Sequence, residues 1–141
     1  MSKKTDLFTI QDLDNAVAFA VENVYLSELK RVTPKDTGYT ASRWKIRKES
    51  TLNYQLVNDS RSGDYLIVLL LEYGTRPHVI RPKNAKALHW QKGSKDIFAT
   101  KVNHPGFEGR RFIEGVMNDE SLIERFEKVM MAHIERNVRF A

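Results

Sequence analysis

The sequence predicts an α+β fold, with a long N-terminal helix, a short second helix and a C-terminal helix packed on a small, mainly antiparallel sheet. Turn-forming residues are concentrated in the middle of the chain, since all four prolines and five of the seven glycines lie within residues 34–106. Both ends carry apolar residues at steps of three and four, as amphipathic helices do. In the middle, apolar and polar residues alternate over residues 52–56, which indicates a strand.

The first helix is predicted to run from about Gln11 to Val32. Thr9 can cap its first turn, and Thr33-Pro34 ends it, because the residue before a proline disfavours helical backbone. Its apolar face is formed by Leu13, Ala16, Val17, Ala20, Val21 and Val24. A short second helix is expected after Asp36-Thr37, with Ala41, Trp44 and Lys45 on one side.

The central segments read as strands, turns and one ambiguous element. Residues 61–64 are typical of a turn, whereas Tyr65 to Tyr73 fits either a buried strand or a short helix. Residues 87–90 and 97–102 are predicted to form a hairpin around a loop from Gln91 to Asp96. The last helix should begin near Asn118 or Asp119, with an apolar stripe of Leu122, Phe126, Val129, Met130, His133 and Ile134.

Length and composition favour a single domain over residues 1–141. The absence of cysteine excludes disulfides, a thiolate zinc site and a cysteine nucleophile, and it is compatible with a reducing cytoplasm. The N-terminal residues do not have the pattern of a signal peptide. The longest apolar run is residues 66–71, far shorter than the roughly 20 residues that cross a bilayer, so we expect no membrane partner.

The charges are unevenly distributed. From Lys30 to Arg111 the chain has 17 Lys and Arg against 7 Asp and Glu, a net charge of +10, whereas the two ends together carry 6 against 11, a net charge of −5. A basic centre can bind nucleic acid phosphates, or it can meet the acidic ends of a neighbouring copy in a head-to-tail ring. The ring is slightly favoured, because the basic residues are scattered and form no tail.

No residue pattern indicates an enzyme. His78, His89 and His104, with Asp96 and Glu108, lack the spacing of a zinc or nuclease site, and His133 falls on the apolar face of the last helix. No nucleophile elbow or phosphate-binding glycine loop is present, and we expect no catalytic residue, cofactor or metal. Trp44 and Trp90 lie beside basic residues, which suits single-stranded nucleic acid, but packing of both rings in the core is favoured.

Two segments have unusual turn chemistry: residues 71–82 and residues 102–112. Gly74 follows an apolar element and permits a positive φ, and the prolines at 77 and 82 favour extended chain between them. The sequence His104-Pro105-Gly106 indicates a sharp turn. Glycine and proline residues of this kind determine the course of loops, and loops often make the contacts of a protein.

These segments carry a resemblance to a family of small tailed-bacteriophage proteins, the head–tail joining, neck or tail-completion proteins. The match runs in order from about Thr33 to Met117, and Phe112 lies where an aromatic residue introduces the C-terminal helix of that family. The basic loop Arg76 to Arg81 and the pair Arg110-Arg111 depart from its pattern. The residues that carry the resemblance are Asp36, Thr37 and Gly38 with Ala41-Ser42; Leu71, Glu72, Tyr73, Gly74 and Thr75; Pro82-Lys83 with Ala87-Leu88; and Val102, His104, Pro105 and Gly106.

The resemblance implies an α+β subunit without catalytic residues, and it favours a helix for Tyr65 to Tyr73. It also implies a homo-oligomeric ring, six-fold by preference with twelve-fold as the alternative, at the head–tail junction of a virion made in the host cytoplasm. Implied partners are the neck, portal-adaptor and tail-tube proteins, with transient non-specific contact with phage DNA along the genome exit path. The alternatives are a tail-terminator ring subunit, a stand-alone nucleic-acid-binding domain and a metal-dependent nuclease. From the charge division we expect subunit or DNA-channel contacts at Arg76, Arg81, Lys83, Glu120 and Glu124.

Overall fold

A computed structural model describes residues 8–35, 38–82 and 85–138. Its first helix, α1, is α-helical over Ile10–Ala20 and Ser27–Val32, with a π-helical turn at Val21–Leu26 between them. Thr9 caps it as predicted: the Thr9 hydroxyl accepts the Asp12 N–H at 3.1 Å, and the Asp12 carboxylate accepts the Thr9 N–H at 2.9 Å. The reciprocal bonds satisfy two amides of the first turn.

Four further helices follow α1 within the described residues, and the predicted α+β class is confirmed. Helix α2 is Tyr39–Ser42, α3 is Ile67–Tyr73, α4 is Phe112–Met117 and α5 is Glu120–Asn137. The ambiguous segment is therefore a helix from Ile67 onward. The C-terminal helix starts where predicted, with Asp119 as its N-cap, but α4 before it was not predicted as a separate helix.

All strand pairs in the described part of the chain are antiparallel, and each strand pairs with one neighbour. They form small two-stranded sheets instead of one continuous sheet, because the strands are short and the chain folds back on itself repeatedly. The pairs are β1 (Trp44–Ser50) with β2 (Asn53–Asn58), β3 (Arg61–Ser62) with β4 (Tyr65–Leu66), β5 (Gly74–Thr75) with β10 (Phe107–Glu108), β6 (His78–Ile80) with β9 (Val102–His104), and β7 (Leu88–Lys92) with β8 (Lys95–Ala99).

Two predictions in the first half of the chain were wrong. Trp44 and Lys45 begin β1 and do not share a helix face with Ala41, because α2 ends at Ser42. Leu52 lies in the β1–β2 turn with φ of +63° and not in the strand. The core explains the first error, since Trp44 is buried there beside Val24, Leu29, Val68, Phe112, Val116 and Leu122.

A buried hydrogen-bond chain fixes the end of α1 against β1. The indole N–H of Trp44 donates to the Thr33 hydroxyl at 2.8 Å, and that hydroxyl donates to the Leu29 carbonyl oxygen. Thr33 therefore satisfies the only polar atom of the Trp44 side chain, in a place that excludes water.

Thr33→Val should lower the free energy of unfolding by about 1–3 kcal/mol, because the Trp44 N–H stays buried without an acceptor. Chemical denaturation would measure the loss, with the exposed Thr100→Val as the matched control. Trp44→Phe should lower the free energy of unfolding less in the Thr33→Val background than in the wild type, because the Trp44 N–H has already lost its acceptor there. Equal costs in both backgrounds would contradict the proposed coupling.

A second buried polar group ties α1 to the β1–β2 turn. Asp14 is only 2% exposed, and its carboxylate accepts hydrogen bonds from Lys48 Nζ at 2.7 Å and from the Leu52 N–H at 2.8 Å. The bond from Lys48, followed by the one from Leu52, holds the pKa of Asp14 below its ordinary value. The same carboxylate therefore holds Leu52 in the left-handed conformation that non-glycine residues disfavour.

The contribution of the Asp14 carboxylate should depend on pH. Its pKa is lowered in the folded state, so the stabilisation is complete above the unfolded value of about 3.9 and disappears as the pH falls through the folded value. Thermal unfolding of wild type and Asp14→Asn should give a Tm difference that is largest near neutral pH and closes in acid. A constant difference across this range would contradict the assignment. Asp59→Asn, at the exposed pair with Arg43, should show a smaller and more salt-sensitive difference.

Candidate interaction surface

The two segments that carry the sequence motifs meet in space. β5, from the first segment, pairs with β10, from the second, so that Thr75 lies opposite Phe107 and Gly74 opposite Glu108. The Arg110 N–H donates to the Leu71 carbonyl oxygen at 2.8 Å, which continues the contact toward α3 and α4. Parts of the two segments therefore build one structural unit, which we call the motif joint: residues 71–75 and 106–114.

Glu72 is the central residue of the motif joint. Its side chain is almost wholly buried, with 3% exposure, and its two carboxylate oxygens accept the backbone N–H groups of Ile113 at 2.7 Å and Glu114 at 3.0 Å. These amides belong to the first turn of α4, where a negative charge is favourable. Arg111, just before α4, has φ of +50° and gives no side-chain cap, so Glu72 supplies the cap from a distant part of the chain.

Two glycines allow the close approach of the segments. Gly74 and Gly106 have φ of +79° and +78°, and the positive φ expected at Gly74 is confirmed. A Cβ atom at Gly74 would overlap the carbonyl oxygen of Phe107, and one at Gly106 would lie 2.5 Å from the carbonyl oxygen of Thr75. Glycine is therefore required here both for its conformation and for its lack of a side chain.

From the motif joint the chain runs out and back as a two-stranded β-ribbon, which comprises β5 to β10. One register extends through β5–β10 and β6–β9, since Thr75 pairs with Phe107 and His78 pairs with His104. Pro77 lies between β5 and β6, where its missing N–H interrupts the ladder. The outer part, β7–β8, is a hairpin whose turn is Gly93-Ser94, tighter than the predicted loop from Gln91 to Asp96.

The β7–β8 hairpin exposes aromatic side chains. Phe98 is 68% exposed and stacks on His89 with ring centroids 4.6 Å apart, and Trp90 is 39% exposed. The prediction that Trp90 packs in the core was wrong, whereas the same prediction for Trp44 is confirmed. An uncovered hairpin with exposed aromatic residues is typical of a surface that contacts another molecule.

Basic residues of the ribbon differ from those of the body. In the body, Arg43 forms a bidentate pair with Asp59 at 2.6 Å, and Lys48 pairs with Asp14. The basic side chains on the described part of the ribbon are all exposed. None of them has a carboxylate at ion-pair distance among the residues that the structure describes. They are Arg76, Arg81, Lys86, Lys92, Lys95 and Lys101.

The predicted contact residues occupy two separate surfaces. Arg76 lies at the base of the ribbon and Arg81 directly after β6, at the outer end of the inner strand pairs. Glu120 and Glu124 lie on the exposed face of α5, one turn apart. No ion pair joins the two surfaces in the described structure of one chain. Lys83, like Asp36 and Thr37 of the motif set, lies outside the described residues.

The remaining motif residues have structural positions. Gly38, with φ of +85°, precedes α2 and its carbonyl oxygen accepts the Ser42 N–H at 3.0 Å. Tyr73 is exposed, and the Arg111 guanidinium lies 5.1 Å from its ring centroid. Pro105 is in the predicted turn, which His104 closes by accepting the Gly106 N–H on Nδ1 at 2.9 Å.

The four histidines are distributed over the molecule. His78 and His104 stack across the ribbon with ring centroids 4.8 Å apart, and the His89 Nε2 is 3.1 Å from Asp96 Oδ1. His133 packs on Phe19 between α5 and α1, 4.6 Å between centroids. Among the residues that the structure describes, no group of three or more His, Asp or Glu side chains is placed to hold a metal ion.

Comparison with known proteins found no matching family model, no matching curated protein and no matching solved structure. Within the described residues, no helix is both long enough and apolar enough to span a membrane.

Glu72→Ala should lower the free energy of unfolding by about 1–3 kcal/mol, because two amides at the start of α4 lose their acceptor. Glu72→Gln should cost less, since the amide oxygen can still accept one of the two hydrogen bonds. Denaturant titration would measure the stability, and amide hydrogen exchange should show faster exchange in α4. Glu124→Ala, on the exposed face of α5, is the control and should change stability by less than about 0.5 kcal/mol. Equal effects at Glu72 and Glu124 would contradict the capping role.

Proposed function

We propose that this chain is a structural subunit of a ring at the head–tail junction of a tailed bacteriophage, a neck or tail-completion component that surrounds the genome exit path. The proposal combines the resemblance in the sequence with one structural observation. Residues 71–75 and Gly106, which carry part of the resemblance, lie in the motif joint, and the exposed β-ribbon continues from this joint. An exposed two-stranded ribbon can contact neighbouring molecules through its strand edges and side chains.

The surface charges support a head-to-tail arrangement of copies. Within the described part of one chain, Arg76 and Arg81 on the ribbon form no ion pair with a carboxylate, and Glu120 and Glu124 on α5 form none with a basic group. When the basic surface of one copy contacts the acidic surface of the next, each copy still has one basic or one acidic surface free for a further copy. Head-to-tail contacts of this kind form a ring if the rotation between copies closes. Lys83 belongs to the same expected contact.

Apolar contacts must supply most of the stability of such a ring, because exposed ion pairs contribute only about 0–1 kcal/mol each. The ribbon offers Phe98 and Trp90, and Tyr73 is exposed at its base. These aromatic side chains are of the type that dominates the energy of protein interfaces. The charges then set the register and orientation of neighbouring copies.

A stand-alone nucleic-acid-binding domain is the second candidate, since the unpaired basic residues of the ribbon favour it. It requires a monomer that binds DNA tightly and with a steep salt dependence. The two candidates differ in oligomeric state, which the following experiment measures.

We expect the wild-type chain, with the tail-tube protein of the same phage, to form rings visible by electron microscopy and mass photometry. Arg76→Glu with Arg81→Glu should raise the concentration needed for assembly by about tenfold, or about 1.4 kcal/mol, since attraction becomes repulsion. Adding Glu120→Arg with Glu124→Arg should restore assembly, because the charges are then exchanged.

Lys45→Glu with Arg47→Glu, on the exposed side of β1, is the control for a change of net charge and should leave assembly unaltered. Assembly that survives the double reversal at Arg76 and Arg81 would refute these contacts. Wild-type chain that remains monomeric with the tail-tube protein would refute the ring itself.

A further inference from the structure

The tip of the ribbon concentrates positive charge that no carboxylate neutralises within the described residues. Lys92 and Lys95 lie directly opposite each other at the end of β7–β8, and both are exposed. Like charges in a directly opposed cross-strand pair destabilise a hairpin. An anion beside the two ammonium groups would remove that repulsion.

The single carboxylate of the hairpin does not provide this anion. Asp96 accepts hydrogen bonds from Gln91 Nε2 at 3.2 Å and lies 3.1 Å from His89 Nε2. Opposed residues of an antiparallel pair share a face, and successive residues alternate between faces. The Gln91–Asp96 pair is therefore on the opposite face from Lys92 and Lys95.

Two more exposed lysines without an ion pair in the described structure flank the hairpin, Lys86 before β7 and Lys101 after β8. Lys101 follows Lys95 by six positions, which is roughly 20 Å of extended chain at about 3.3 Å per residue. Four unpaired positive charges are thus distributed along a narrow two-stranded ribbon. The major groove of duplex DNA, about 12 Å wide, admits a ribbon of this kind and presents a row of phosphates at each edge.

We propose that the β7–β8 hairpin is an arm that contacts the phosphates of duplex DNA through Lys92 and Lys95 at its tip and Lys86 and Lys101 along its length. The inference rests on the proposed function for the place of the contact, since a ring at the head–tail junction surrounds the genome. The contact itself is a property of the isolated chain.

The chemistry of the tip favours DNA over an acidic protein. Residues 92–95 at the tip are Lys-Gly-Ser-Lys and contain no apolar side chain, and the exposed Trp90 and Phe98 lie behind the tip along the hairpin. Protein interfaces, in contrast, have an apolar centre from which charged residues are depleted. Lysine binds phosphate as a point charge and reads no base pattern. The arm therefore binds without regard to sequence, which is what a genome moving past a fixed protein requires.

The test compares full-length wild type with the double variant Lys92→Gln with Lys95→Gln. Fluorescence anisotropy of a short labelled DNA duplex would give the association constant at several salt concentrations between about 50 and 200 mM. Each phosphate contact contributes about 0.9 to the slope of log association constant against log salt, so the variant should have a slope smaller by about 2.

Lys45→Gln with Arg47→Gln is the matched control, because it removes the same charge from the body of the protein. Its slope should stay close to that of the wild type. The glutamine variant at the tip should unfold at the same temperature as the wild type or slightly higher, since it removes a like-charge pair.

Three outcomes separate this inference from the proposed function. A slope that falls equally in the tip and control variants, or in neither, overturns the DNA arm even if rings form. A tip variant that fails to assemble while its DNA binding is unchanged also overturns it, and assigns the tip to a protein partner. A monomeric wild type whose slope depends on the tip supports the arm and contradicts the ring.

Discussion

The carboxylate of Glu72 connects the two parts of the chain on which the arrangement of the surface depends. It accepts the Ile113 and Glu114 N–H groups, so α4 can begin immediately after the chain returns from the ribbon. Each carboxylate oxygen has one donor, and the buried charge lies at the positive end of the α4 peptide dipoles. Because α3 carries Glu72 and α4 carries Phe112 and Val116 into the core, this contact aligns the ribbon base with the core.

The ribbon has two parts that differ in strand register. The inner part keeps one register from the motif joint to the pair of Ile80 with Val102. Seven residues of the outgoing chain and two of the returning chain lie between this pair and the pair of Leu88 with Ala99, so the hairpin starts a new register. The inner part is therefore fixed to the body, while the hairpin is joined through a longer segment. The boundary places Arg76 on the inner part and Lys92 and Lys95 on the hairpin, which also carries the exposed Trp90 and Phe98.

Local signals account for what the sequence predicted correctly. Helices α1 and α5 have apolar stripes and caps within three residues of their starts, Thr9 with Asp12 and Asp119 with Ser121. Helix α4 has no such signal, because its cap lies some forty residues earlier in the chain. Trp44 was assigned to the wrong element because burial against Thr33 overrides the local helix pattern. Trp90 is the same type of residue as Trp44, and only the tertiary structure shows that Trp44 is buried and Trp90 exposed.

The sequence is equally unable to predict which charged side chains are paired in the folded chain, and this matters for function. The sequence reveals a basic centre, but it does not show that Lys48 is neutralised by Asp14, 34 residues away. In the described structure, Lys86, Lys92, Lys95 and Lys101 of the ribbon have no such partner. Exposed lysines can also protect a strand edge from pairing with other strands. That role suits Lys86 and Lys101 beside the hairpin. It does not explain Lys92 and Lys95, which oppose each other next to the turn, where the strands end and little edge remains to protect. An anionic partner accounts for the opposed Lys92 and Lys95, because its attraction offsets their repulsion, and Lys86 and Lys101 add to the same positive surface.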